Sequence, residues 1–202
     1  MKRFVSSGFA ALFSFAMTAC GGGDSSADNG GAPAPAPAPA AAPPAAAAPA
    51  GGALSTPDWM TVDAGARTVT IDLVAGSTDA NNRWNYNGHA NGAATVVVPT
   101  GYAVTINFSN SDPANFHSVA VLPAAATFPV MFEGVTPAFA GAMSGDATSM
   151  TEATGPSESE TVSFTAGAAG DYALVCVIPA HAATGMWIGF QVSAGGEAGV
   201  RM

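Results

Sequence analysis

The sequence predicts an all-β domain, a sandwich or barrel, carried behind an export signal and an unstructured linker. Three observations predict it. Seven short runs after residue 66 either alternate apolar and polar residues or are rich in β-branched ones. Gly, Pro, Asn and Asp punctuate the intervals. No segment sustains a helical period, and many short strands with frequent turns argue for packed antiparallel sheets.

The elements follow in order. Arg67 to Leu73 alternates, placing Val69, Ile71 and Leu73 on one face. Ala94 to Val98 is a short β-branched run. Tyr102, Val104, Ile106 and Phe108 alternate with Ala103, Thr105, Asn107 and Ser109. His117 to Leu122, Glu160 to Thr165, Asp171 to Val177 and Met186 to Ser193 complete the set. Turns are expected at Asn91-Gly92, Pro99-Thr100-Gly101 and Asp112-Pro113. Residues 123–159, rich in Ala, Gly, Ser and Thr, read as a long excursion between strands with room for a short helical turn.

The N-terminal quarter has a different composition. Lys2 and Arg3 precede an apolar stretch from Phe4 to Met17 and then small residues, the pattern of a secretory signal. Met17-Thr18-Ala19-Cys20-Gly21 resembles a bacterial lipoprotein signal, so residues 1–19 are read as the signal peptide and Cys20 as the lipidated residue. The reading set against it is an ordinary cleavable signal. Residues 20–56 form a Gly/Ala/Pro-rich linker that cannot bury a core. Its Ala-Pro portion favours polyproline II and would span roughly 55 Å. Residues 57–197 are the folded domain.

Composition excludes several functions. Apolar residues make up 49% of the chain and charged ones 9%, yet no apolar run reaches the ~18 residues of a membrane-spanning helix. The formal charge is −9. A chain beginning at Cys20 carries three arginines against fourteen acids and no lysine. Such a surface repels phosphate backbones, which argues against nucleic-acid binding, and it can steer basic partners.

The chemistry concentrates near the C-terminus, in Cys176-Val-Ile-Pro-Ala-His181-Ala-Ala-Thr-Gly-Met186. A thiolate, an imidazole and a thioether fall within eleven residues at the end of a predicted strand. Upstream, His117 is in phase with Val119 and Val121, and Cys176 is in phase with Tyr172 and Leu174, so both point inward. Two His and one Cys with a weak axial Met form the ligand set of a blue-copper site, whereas zinc is more often held by Cys and His without Met. Each residue alone has a plainer reading: Cys as a small hydrophobe, Met as core, His as a structural group. Their convergence is the signal. His89 is read as a turn residue, and Met143 and Met150 as packing residues rather than further copper donors.

These residues resemble a known family. The spacing Cys-x4-His-x4-Met, the upstream inward His and the strand pattern look like cupredoxins. Trp84-Asn85-Tyr86-Asn87-Gly88, the run before His117 and the close in Gly185-Met186-Trp187 are similar to sulfocyanins, and rusticyanins share the ligand-loop spacing. The resemblance implies a Greek-key β-sandwich or barrel holding one type 1 copper ion, with His117, Cys176 and His181 equatorial and Met186 axial. It implies electron transfer, without a small-molecule substrate, commonly in respiratory chains with a cytochrome c or terminal oxidase as partner. Many cupredoxins place Asn after the first His; here it is Ser118, expected to link the two ligand segments. His181 is the expected electron exit, with Pro179, Ala180, Ala182 and Ala183 as a flat apolar patch around it. A periplasmic copper-trafficking or storage protein is the rival reading. A copper enzyme would need a further His cluster, which the sequence lacks.

Overall fold

The structure, a computed structural model, describes residues 52–202. The signal peptide, Cys20 and most of the linker lie outside the described residues. Nine strands follow one another: β1 (Met60–Asp63), β2 (Thr68–Ala75), β3 (Thr95–Pro99), β4 (Ala103–Asn110), β5 (Ala120–Pro123), β6 (Ser159–Thr165), β7 (Gly170–Val175), β8 (Trp187–Ser193) and β9 (Gly199–Arg201). One sheet has the order β1-β2-β4-β6, the other β5-β7-β8-β3-β9. The fold is all-β, as the alternation predicts.

The sheets are mixed rather than purely antiparallel. β2 runs parallel to β4, and β3 parallel to β8. The cause is topological. The chain leaves β2 in one sheet, crosses to β3 in the other and returns for β4, so two reversals restore the original direction. Alternation reports which face is buried and carries no information on neighbour direction.

Between the sheets lies the main core. Val69, Ile71, Leu73, Val104, Ile106, Phe108, Val162 and Phe164 meet Val96, Val98, Val121, Leu174, Ile188, Phe190 and Val192, all buried. Each set is the i, i+2 face of its strands. The segment His117–Leu122 departs from that pattern, because both of its faces are buried. Ala120, Leu122, Ala173, Val175 and Val177 form a second cluster, packed by Phe128, Phe132, Val135 and Met143.

That second cluster explains the excursion. Residues 124–158 fold over the outer face of the five-stranded sheet and add a third layer without regular structure. The expected helical turn is absent there; among the described residues the one 3-10 turn is Ala80–Arg83. The layer is tied to β5 and the residues before it. Val121 N–H donates to Ala142 at 2.9 Å, Ala138 N–H to the Val121 carbonyl at 2.8 Å, and His117 N–H to Thr154 at 3.0 Å. Val119 N–H donates to the Ser144 hydroxyl at 3.0 Å. Glu160 on β6 accepts from Gly145 N–H at 2.8 Å and from the Thr154 hydroxyl, fixing the return.

Candidate metal centre

His117 lies just ahead of β5, and its backbone bridges to Thr154 of the excursion. Cys176 is the residue immediately after β7. The chain then turns on itself. Met186 N–H donates to the His181 carbonyl at 2.9 Å, and Cys176 N–H to the Met186 carbonyl at 3.1 Å. The Thr184 hydroxyl bonds the Ala180 and His181 carbonyls, both at 3.0 Å. Gly185 completes the loop at φ +104°, where a Cβ would lie 2.1 Å from the Asn91 side chain. Only glycine allows the segment 84–92 to close over the loop at that point.

This folding brings together three of the four donors that the sequence singles out. One ligand atom from each of His117, Cys176 and His181 lies within 4.8 Å of the others, and all three residues are buried. Cys176 Sγ is 3.4 Å from His181 Nδ1. Met186, fully buried, stands directly across from Cys176 through the backbone bond just described. His89 stays outside the cluster, in a tight turn where its backbone pairs with that of Tyr86.

The environment of each donor is specific. His117 Nε2 faces Asp112 Oδ2 at 3.1 Å, both groups buried. Burial acts to raise the Asp112 pKa, but hydrogen bonds from the Asn115 amide, Ala114 N–H, His117 and Asn115 N–H outweigh it and hold the carboxyl at about 2. An ionised carboxylate only accepts, so the His117 proton sits on Nε2 and its Nδ1 carries the free lone pair. That Nδ1 is buried with no hydrogen-bond partner. Burial lowers the His117 pKa despite Asp112, and lowers His181 to about 4 with help from His117. Both rings are therefore neutral, as ligation requires.

The thiol has its own frame. Burial pushes the Cys176 pKa up, opposed by hydrogen bonds from the Ile178 and Ser118 backbone and from the Ser118 hydroxyl. Ser118 Oγ accepts the Val177 N–H at 3.1 Å and lies 3.6 Å from Cys176 Sγ. A metal-holding thiolate only accepts, so against it the Ser118 hydroxyl is the donor. The expected link between the two ligand segments is thus present. Tyr86, fully buried, donates from its hydroxyl to the Ser118 carbonyl. Trp84 stacks on His181 with ring centroids 4.1 Å apart and planes inclined 22°.

Sequence reasoning missed Asp112, Trp84 and Tyr86 as neighbours of the site. Asp112 read only as a turn residue, and the aromatic pair only as part of a motif. Two other expectations need correction. Ala182 is buried in the outer cluster, so it does not join a surface patch around His181. Met143 packs in that cluster as expected, but Met150 does not pack; it is 64% exposed.

An unpartnered His117 Nδ1, a neighbouring His181 Nδ1, a buried thiol and a buried thioether fit a soft, redox-active ion better than they fit an apolar core. A mixed β-sandwich with such a pole defines a blue-copper protein of the cupredoxin class. The family model for the sulfocyanin (SoxE) domain matches residues 55–198, and the chain belongs to that family. Its cofactor is one type 1 copper ion. A sulfocyanin from Sulfolobus acidocaldarius is 31% identical over 123 residues, which cover 60% of this chain and 61% of that protein. Among solved structures, the dithionite-reduced auracyanin of Roseiflexus castenholzii is 28% identical, covering 61% of this chain and 96% of its own, with a TM-score of 0.42. Rusticyanin from Thiobacillus ferrooxidans is 23% identical, covering 70% and 100%, with a TM-score of 0.43.

Proposed function

We propose that the protein is a one-electron carrier in which His117, Cys176 and His181, with the thioether of Met186, would hold the copper ion. The observation that carries this reading is the buried three-donor cluster with an uncommitted His117 Nδ1. Bound there, copper supplies one-electron chemistry between Cu(I) and Cu(II). The chain's contribution is to keep the donors still. Asp112 fixes the ring and tautomer of His117, Trp84 fixes the ring of His181, and the hydrogen-bonded loop fixes Cys176 against Met186. A frame that does not rearrange with charge keeps the reorganisation cost of transfer low.

The test is the optical and EPR spectrum of the oxidised, copper-loaded protein. An intense visible band from thiolate-to-copper charge transfer is expected, and Cys176→Ser should abolish it. Copper binding without that band would refute the reading.

The finer reading has the carrier exported to the periplasmic or cell-surface side, serving a respiratory chain and held by lipid at Cys20. The signal-like residues 1–20 and the linker behind them support it, and the acidic charge suits a basic partner such as a cytochrome c, or a terminal oxidase. Radiolabelled fatty acid should enter the wild type and not Cys20→Ala. Reduced protein should be reoxidised by respiring membranes at a rate that falls with salt. A copper-trafficking or storage role is the second reading, favoured by the exposed thioether of Met150. It requires rapid transfer of copper to a competing chelator, which a sealed electron carrier resists.

A further inference from the structure

The centre is closed on nearly every side. Cys176, His117 and Met186 are fully buried, and His181 retains 5% exposure. That exposure opens on one surface cleft, lined by Ala114, Asn115, Phe116, Met150, Ile178 and His181. An ion that reaches the donors of the folded apoprotein has this cleft as its approach to a ligand. Ala114, Phe116 and Ile178 form the apolar part of the walls, and the cleft holds no carboxylate to attract a hard cation. Its one soft donor besides the His181 ring is the thioether of Met150. Met150 is also one of the few large apolar side chains left in water. Leaving it exposed forgoes the apolar burial that a packed side chain would gain. Phe128, Phe132, Val135 and Met143 of the excursion are drawn into the outer cluster, whereas Met150 is left 64% exposed beside the His181 ring.

We infer that Met150 captures incoming Cu(I) at the mouth of this cleft and passes it to the ring of His181, from which the buried donors take it. The inference rests on the copper reading above. Thioether sulfur binds Cu(I) and has little affinity for Cu(II), so the capture step is selective for the oxidation state. Met150 and His181 together offer a soft sulfur and an imidazole, enough for a transient complex and too few for a resting one. Once the ion has moved inward, Met150 has no further part, and neither the colour nor the potential of the finished centre depends on it.

The experiment uses anaerobic apoprotein and a chromophoric bicinchoninate–Cu(I) complex as donor, with loading followed by loss of the chelate colour. Met150→Leu keeps the size and exposure of the side chain and removes the sulfur. It should slow Cu(I) loading several-fold while leaving loading from Cu(II) salts, the visible band after oxidation and the reduction potential unchanged. Met131→Leu is the control, since Met131 is 67% exposed on the same excursion but does not line the cleft; it should load like wild type. Equal Cu(I) rates for wild type and Met150→Leu, in proteins that turn blue on oxidation, overturn this inference and leave the electron-carrier reading standing. A wild type that takes up no copper, or takes it up without colour, overturns both. Slowing of Cu(I) and Cu(II) loading alike also overturns it, because the effect would then be steric.

Discussion

Replacing Ser118 with alanine removes one oxygen and two hydrogen bonds, and the two losses are read by different instruments. The first is the bond that Ser118 Oγ accepts from Val177 N–H at 3.1 Å. The amide is buried and gains no other acceptor, so the apoprotein should lose about 1–3 kcal/mol of stability. In a domain of this size that corresponds to a fall of about 2–4 °C in Tm per kcal/mol. The second is the proton directed at Cys176 Sγ over 3.6 Å. The sulfur carries more negative charge when copper is reduced, so this bond stabilises Cu(I) more than Cu(II). Taking the difference as about 1–1.4 kcal/mol, a net hydrogen bond, its loss shifts the equilibrium toward Cu(II) by about five- to tenfold. At 59 mV per tenfold for one electron, the potential should fall by about 40–60 mV. Thermal melting of apoprotein and voltammetry of the copper form measure the two effects separately. An unchanged or raised potential, with copper still bound and the band intact, would show that the proton does not reach the sulfur.

Two further outcomes are expected. Trp84→Leu removes the ring stacked on His181, worth about 0.5–1.5 kcal/mol beyond its area, and should speed copper release to a chelator by about 2- to 13-fold. The apoprotein should lose stability as the medium is acidified, in two stages. His181 titrates at about 4 in the fold against an ordinary 6.5, so the unfolded chain binds its proton first and stability falls as pH drops from about 6.5 toward 4. Asp112, held at about 2, adds a second loss as pH drops from its ordinary 3.8 toward 2. Urea midpoints measured across that range check both, and a midpoint flat from pH 7 to 4 would rule out the His181 contribution.

How much of this was legible depended on how local each signal was. The ligand loop could be read because Cys176, His181 and Met186 stand within one stretch whose spacing is itself the geometry. His117 could be added because strand phase reports direction. β2, β4 and β6 were visible through alternation that matches a sandwich face. β1 and β9 were not, at four and three residues, too short to show a period. The third layer was hidden for a different reason. Phe128, Phe132, Val135 and Met143 follow no period because they pack from irregular backbone, so nothing marked 124–158 as more than a loop. Asp112 precedes His117 by five residues, yet an Asp-Pro pair signals a turn whether or not its carboxylate finds an imidazole. The same holds for Tyr86, whose partner Ser118 is 32 residues away.

The strap that 124–158 lays along β5 has a consequence for how copies of this protein coexist. β5 is the outermost strand of the sheet that carries Cys176 at its neighbour's end, and a bare strand there would offer its amides and carbonyls to any passing chain. Ala138, Ala142 and Ser144 take up those groups from within the same molecule. Molecules gathered at high density, side by side and facing one way, therefore find no template along this margin. Crowding can bring their copper poles close without inviting strand exchange beside them.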